Sequence, residues 1–248
     1  MYPRKIRAML IAGNWKMHKG SSETREFCAA LRARLPTTEG VDVVVCPAYT
    51  SLHDALGMLA VTEIGVFAQN THWEREGAYT GEISPAMLHE IGVGGTLVGH
   101  SERRQYFGET DESTARRAQG AIGAGLDVIA CVGETESERE AGETESVLRR
   151  QIRAIADAVS EDDRDRLLIA YEPVWAIGTG KTATPDLAEE AHRVIKGLLE
   201  VPVLYGGSVK PDNAAELLGQ PSVDGALVGG ASLEVESFAA ICQAAIHS

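Results

Sequence analysis

The sequence contains few cysteines, no excess of basic residues and no long apolar run. Its four cysteines among 248 residues are far apart and form no C-x-x-C pair, which argues against a disulfide framework and against a zinc site. The formal net charge of −13 argues against nucleic acid or an anionic membrane as the main partner, since both require a basic surface. Near the N-terminus the only apolar stretch covers residues 8–12, which is too short for a signal peptide or a membrane span. We therefore expect a cytoplasmic protein.

Short apolar runs recur at even intervals along the chain. They cover residues 9–12, 41–46, 64–68, 96–98, 127–132, 167–171, 201–205 and 226–228. Most are continuous rather than alternating, which is typical of parallel strands covered on both faces. Amphipathic helical patterns lie between them, the clearest over residues 23–35, 143–159, 185–199 and 233–246.

Eight strand candidates, each followed by a helix candidate, predict an α/β fold in which residues 1–248 form a single-domain (β/α)8 barrel. A doubly wound sheet is the competing fold. Such a sheet usually has fewer strands, and no complete G-x-G-x-x-G motif opens a helix in this chain. No linker or low-complexity tract divides the sequence.

The most informative stretch follows the sixth apolar run. Glu172 comes directly after that run, a rigid Pro173 follows, and Gly178 and Gly180 come shortly afterwards. A carboxylate at the end of a strand, before a segment with a stiff entry and permissive glycines, suggests a catalytic base beneath a mobile lid. Taken alone, the stretch is equally compatible with a loop that exposes one glutamate.

Other strand ends favour the catalytic interpretation, because the active sites of such barrels lie where the strands end. Asn14 and Lys16 follow the first run, and His100 follows the fourth. A helix start at Ser101 would disfavour the imidazolium, which predicts a neutral His100 able to donate a hydrogen bond to a carbonyl oxygen. Glycine pairs follow the seventh and eighth runs, where barrels bind phosphate through backbone N–H groups.

These groups together indicate a narrow chemistry that needs neither a metal nor a cofactor. A carboxylate removes a proton next to a carbonyl group, histidine and lysine stabilise the enediolate oxygen, and the proton returns to the neighbouring carbon. A phosphate group on the substrate would bind at the glycine pairs. The sequence Gly180-Lys181-Thr182 resembles the end of a P-loop, but the earlier glycine of that motif would fall at Trp175, so a nucleotide site is not expected.

Six segments carry a resemblance to the triosephosphate isomerase family, which covers essentially the whole chain. They are residues 12–17 (AGNWKM), 77–84 (GAYTGEIS), 98–103 (VGHSER), 170–175 (AYEPVW), 205–209 (YGGSV) and 227–230 (LVGG). The resemblance implies a TIM barrel that interconverts D-glyceraldehyde 3-phosphate and dihydroxyacetone phosphate in glycolysis and gluconeogenesis.

The resemblance also implies the role of each site residue. Glu172 would be the base, His100 the electrophile and Lys16 the cation near the carbonyl and phosphate groups. Asn14 would orient the substrate, and Glu102 would lie beside Lys16, although a capping or salt-bridge role for Glu102 is nearly as compatible with the sequence.

The remaining implied residues bind phosphate or exclude water. Those expected to hold phosphate are Gly178, Ser208, Gly229 and Gly230. Ile177 and Leu227 would close over the base and raise its proton affinity. Tyr205 and Ser208 would receive the closed lid at Gly180 and Ala183.

The family resemblance implies a homodimer or a larger assembly such as a tetramer. The loop from His72 to Gly81 resembles the one that reaches the neighbouring subunit, where Thr80 would contact Asn14 and Glu102. Two departures are His18, where many relatives have asparagine, and a short passage from His192 to Leu204, which we expect opposite the active-site mouth. Two alternatives remain: an isomerase of a longer phospho-sugar such as a tetrulose phosphate, and a non-catalytic barrel that binds sugar phosphates.

Overall fold

A computed structural model describes residues 9–38, 40–176 and 184–246. Eight parallel strands pair in chain order and close into a barrel. The strands are β1 (Leu10–Asn14), β2 (Asp42–Cys46), β3 (Gly65–Ala68), β4 (Gly95–Val98), β5 (Asp127–Val132), β6 (Leu167–Tyr171), β7 (Val203–Tyr205) and β8 (Gly225–Val228). The predicted (β/α)8 TIM barrel is confirmed, and each strand lies within two residues of its predicted bounds.

Helices lie between the strands and cover the barrel. They are α1 (Ser21–Arg34), α2 (Leu52–Leu59), α3 (Pro85–Glu90), α4 (Ser101–Phe107), α5 (Asp111–Gly123), α6 (Glu136–Glu140), α7 (Thr144–Ala158), α8 (Pro185–Leu198), α9 (Ala214–Leu218) and α10 (Val235–Ile246). Short 3-10 turns follow β6 at Val174–Ala176 and β8 at Gly230–Ser232. The four clearest helical patterns of the sequence are therefore confirmed as α1, α7, α8 and α10.

The strands are buried on both faces, as their continuous apolar runs predict. One face fills the barrel interior and the other packs under the helices. Cys46 and Cys131 belong to the interior group, and all four cysteines are free and buried. Among the described residues, no helix is both long and apolar enough to cross a membrane.

The short passage before β7 lies at the barrel end opposite the strand termini that carry the site. Helix α8 ends at Leu198, and β7 begins at Val203. Two polar contacts attach α8 to the segment that enters β8: Lys196 Nζ lies 2.9 Å from an Asp224 carboxylate oxygen, and Glu189 accepts hydrogen bonds from the backbone and hydroxyl of Ser222. Side chains of α8 thus hold the segment that enters β8.

Candidate active site

A cavity of about 810 Å³ opens at the carboxyl ends of the strands. The loops after β1, β4, β6, β7 and β8 all contribute to its lining. The predicted site residues that line it are Asn14, Lys16, His100, Glu172, Ser208, Leu227, Gly229 and Gly230. Closure of the barrel brings together residues that are more than 200 positions apart in the sequence.

Glu172 directly follows β6 and is 2 % exposed. Its backbone N–H donates to Val132 O at 2.7 Å, which continues the pairing of β5 with β6. Its carboxylate accepts the Ser101 N–H at 2.8 Å and lies 3.3 Å from the Ser101 hydroxyl. A Cβ at Gly133 would overlap the Glu172 carbonyl oxygen. The backbone that carries this carboxylate therefore requires glycine beside it.

His100 lies against the same carboxylate. Its Nε2 is 2.9 Å from Glu172 Oε1, and its Nδ1 accepts the Glu102 N–H at the start of α4. Because Nδ1 accepts this hydrogen bond, the proton of the neutral ring lies on Nε2, where it faces the Glu172 carboxylate.

Burial and the ion pair act in opposite directions on both groups. Burial favours the uncharged acid, but His100, the Ser101 N–H and Lys16 hold the pKa of Glu172 below its usual range. Burial likewise favours the uncharged imidazole, but the adjacent Glu172 carboxylate raises the pKa of His100. The sequence predicts a neutral His100 from the helix start at Ser101 alone. It does not show that the Glu172 carboxylate lies next to the ring. While the two side chains are in contact, that expectation is not supported.

Lys16 is held in an unusual backbone conformation, with φ at +52°. Its N–H donates to Asn14 Oδ1 at 3.0 Å, and its carbonyl accepts Gln69 Nε2 at 2.8 Å. Its ammonium lies 2.7 Å from Glu102 Oε1. Non-glycine residues adopt positive φ at an energetic cost that the surrounding contacts must offset. Asn14 and Gln69 supply those contacts on either side of the lysine.

The turn after β8 lies beside Lys16. A Cβ at Gly229 would lie 3.4 Å from Lys16 Cε, so the lysine stem runs along this turn. The Ser232 hydroxyl is 2.7 Å from Gly229 O and 3.3 Å from Asn14 O. The ammonium and the backbone of the turn therefore face one region of the cavity, as an anionic group would require.

Some predicted contacts fall where the structure gives no description. Ile177, Gly178, Gly180 and Ala183 lie outside the described residues. The described part of that loop contacts the loop after β7, because the Ser208 hydroxyl donates to Ala176 O at 3.3 Å.

Sequence reasoning missed two residues that fix the site. The sequence indicates Ser101 only as a helix start, yet its backbone N–H donates to the Glu172 carboxylate. Gln69 bridges the first two strand ends by donating to Lys16 O and Cys46 O. Its position directly after β3 was the available signal, since polar residues at strand ends gather at the barrel mouth. His18 also lines the cavity.

The chain matches a family model described as "Triosephosphate isomerase" over residues 9–245. Three similar proteins carry the same name. The one from Solibacter usitatus (strain Ellin6076) is 48 % identical over 246 residues, covering 95 % of this chain and 99 % of that protein. The Geobacter metallireducens protein is 49 % identical, with 95 % and 98 % coverage. The Carboxydothermus hydrogenoformans protein is 50 % identical over 251 residues, with 97 % and 100 % coverage.

Proposed function

Since the chain belongs to the triosephosphate isomerase family, we propose that its cavity binds a phosphorylated triose and interconverts D-glyceraldehyde 3-phosphate and dihydroxyacetone phosphate, a step of glycolysis and gluconeogenesis. Family membership makes the chain an aldose–ketose isomerase. The observation that carries the residue assignment is the convergence of Glu172, His100 and Lys16 on one cavity beside the Gly229–Gly230 turn.

Glu172 is the base in this proposal. Its carboxylate removes a proton from the carbon next to the carbonyl group and later returns it to the neighbouring carbon, so that no net proton is gained or lost. The two electrons of the broken C–H bond form the enediolate double bond, and the carbonyl oxygen takes the negative charge. The hydroxyl proton of the adjacent carbon then passes to that oxygen by way of His100 Nε2, so the second oxygen becomes the new carbonyl when the carbon proton is returned. To reach the substrate, the carboxylate must leave the Ser101 N–H and turn towards the cavity.

His100 and Lys16 stabilise the developing oxyanion. His100 Nε2–H donates to it, and the ammonium of Lys16 adds a positive charge nearby. When Glu172 turns away from His100, the main cause that raises the pKa of His100 is removed, and the Glu102 carboxylate remains as a weaker one. Burial and the Glu102 N–H on Nδ1 then favour the neutral ring. In this proposal His100 therefore becomes the neutral electrophile when Glu172 leaves it and contacts the substrate.

Binding of the phosphate group is assigned to the turn after β8 and to Ser208. Gly229 lacks a side chain that would fill the space beside Lys16, and a Cβ at Gly230 would meet no atom within 4 Å. Leu227, which is 3 % exposed, supplies an apolar wall of the cavity. Asn14 orients the substrate, and Glu102 pairs with the Lys16 ammonium. Gly178 and Ile177 remain predictions from the family pattern.

A coupled assay on the purified chain, with no added metal or nucleotide, tests this function. We expect kcat/KM for glyceraldehyde 3-phosphate near the diffusional ceiling of about 10⁸ M⁻¹s⁻¹. A value many orders of magnitude lower, with the protein folded, would contradict the proposal. Turnover of a tetrulose phosphate in the same assay would then indicate a longer substrate, and phosphate binding without turnover a non-catalytic barrel.

We also propose a homodimer formed through the loop from His72 to Gly81. In this loop His72 stacks on Trp73 and packs against Tyr79, each at 4.3 Å between ring centroids. Large apolar side chains are exposed after several consecutive strands on the same side: Met17, Tyr49, Tyr79 and Met87. Such an apolar surface marks a protein interface. Sedimentation equilibrium would distinguish a dimer from a tetramer, and a monomer at micromolar concentration would contradict the proposal.

Localisation in the cytoplasm is proposed on the redox state of the thiols. All four cysteines are free, as is usual where glutathione keeps thiols reduced. Fractionation of the source cells, followed by the isomerase assay on each fraction, tests this location.

A further inference from the structure

Lys19 adopts a backbone conformation that lysine rarely adopts. Its φ is +66°, in the left-handed region that favours glycine. It lies three residues after Lys16 and directly before Gly20, which caps the start of α1. A strained residue at this position persists only where its surroundings hold it, and the contacts of Lys19 show what does so.

The side chain of Lys19 joins the loop after β1 to the turn after β8. Its ammonium donates to Leu233 O at 2.7 Å. It also lies over the ring of Phe27 at 4.7 Å and near the ring of Trp15 at 5.8 Å, which are favourable cation–π contacts. The backbone carbonyl of Lys19 accepts the Ser51 hydroxyl at 3.1 Å.

The acceptor of this contact belongs to the turn assigned to phosphate. The Leu233 N–H donates to Gly230 O at 3.1 Å, so a single residue links the Lys19 ammonium to Gly230. Leu233 itself lines the cavity. Lys16 and Gly230 therefore lie at the two ends of a short connection that passes through Lys19 and Leu233.

We propose that Lys19 is a positioning residue, which fixes the loop carrying Lys16 against the phosphate-binding turn after β8. This inference rests on the function proposed above. The ammonium sets the spacing between the Lys16 charge and the Gly230 backbone. A phosphate group held between them is bound equally in the substrate and in the transition state, so loss of this spacing acts mainly on KM.

The main test replaces the ammonium while keeping the aliphatic stem. For Lys19→Met we expect KM for the triose phosphate, and the inhibition constant of inorganic phosphate, to rise together by about tenfold. kcat should stay within about twofold of wild type, because Lys16 keeps its own contacts with Asn14 and Glu102. Arg32→Met is the matched control, because Arg32 also donates to a backbone carbonyl of a neighbouring element, Met58 O, but is exposed on the outside of the barrel. Its KM should not change.

Lys19→Gly separates positioning from backbone strain. Glycine adopts positive φ without strain, so this variant should melt at or above the temperature of Lys19→Met, yet show the same rise in KM. Lys19→Arg retains the charge and the donors, so it should restore KM to within about threefold of wild type.

Three results would overturn the proposal. One is an unchanged KM in Lys19→Met, and another is a wild-type KM in Lys19→Gly. The third is a rise in KM that disappears in high salt, since that would indicate long-range attraction of the substrate. Calorimetric titration of wild type and variants with inorganic phosphate needs no turnover. It therefore tests Lys19 even if the wild-type chain proved inactive on triose phosphates.

Discussion

Glu172 Oε1 and His100 Nε2 are 2.9 Å apart, and both side chains are almost fully buried. The same carboxylate accepts the Ser101 N–H. A buried charge is costly unless it is paired and hydrogen-bonded, and here the proposed base has both kinds of partner. The carboxylate is therefore kept ionised next to the cavity, which is the state that a base needs before substrate arrives.

Shortening Glu172 should reduce turnover strongly. In Glu172→Asp the carboxylate is drawn back by about one carbon–carbon bond, and a misplacement of about 1 Å can cost 100-fold in rate. We expect kcat to fall by about 100-fold or more, while the protein remains folded. Steady-state kinetics measures this, with Glu145→Asp on the exposed surface of α7 as the control. Wild-type turnover by Glu172→Asp would contradict the assignment of Glu172 as the base.

Lys16→Met should weaken both binding and turnover. Its ammonium lies beside the Gly229 turn and points to the cavity, where it would attract the phosphate group and the developing oxyanion. Both KM and the inhibition constant of inorganic phosphate should rise, and kcat should fall, each by about tenfold or more. This combined effect differs from that expected for Lys19→Met, which acts mainly on KM. Unchanged affinity for phosphate would show that the Lys16 ammonium does not contribute to phosphate binding.

The barrel was predictable because its strands are continuous apolar runs. Strand ends were less certain because they are polar: Gly13 and Asn14 pair with Val45 and Cys46 of β2, although neither residue is typical of a strand. The ladder continues through them because the neighbouring strand supplies hydrogen-bond partners. Pairing of this kind depends on the other strand and not on local propensity.

The site residues were predictable by type but not by contact. Barrel closure brings the loops after β4 and β6 together, and only this explains why Ser101 and His100 meet Glu172. The positive φ angles of Lys16 and Lys19 have no signature in the sequence, since lysine rarely adopts them. Contacts between residues far apart in the sequence determine both the partners of Glu172 and these backbone angles.

A methyl group beside Glu172 should disable the site without touching a catalytic side chain. In Gly133→Ala the new Cβ would overlap the Glu172 carbonyl oxygen, so the backbone that carries the base must shift. We expect kcat to fall by about 100-fold and the melting temperature to decrease. Gly57→Ala in α2 is the matched control: nothing lies within 4 Å of its Cβ, and alanine stabilises a helix by about 1 kcal/mol relative to glycine. Full activity in Gly133→Ala would contradict the close packing described here.

Asp127, at the start of β5, should make the fold less stable as pH rises. Its side chain is 6 % exposed and lies 3.1 Å from Arg166 Nη1. Burial raises the pKa of Asp127 to about 6, against the partial compensation of Arg166. Between the unfolded pKa of about 3.9 and the folded value, the native state holds more protons than the unfolded state. The free energy of unfolding therefore decreases with pH across this window.

Asp127→Asn isolates this contribution, because asparagine keeps the shape and cannot ionise. Relative to wild type, the variant should gain about 2 kcal/mol of stability between pH 4.5 and pH 7.5, since only the wild type loses its proton. Unfolding curves of both proteins at the two pH values give this double difference, in which the titration of all other groups cancels. Asp157→Asn, on the exposed face of α7, should show no such gain. If Asp127→Asn instead lost stability relative to wild type at the higher pH, attraction to Arg166 would outweigh burial. The pKa of Asp127 would then be lowered in the folded protein and not raised.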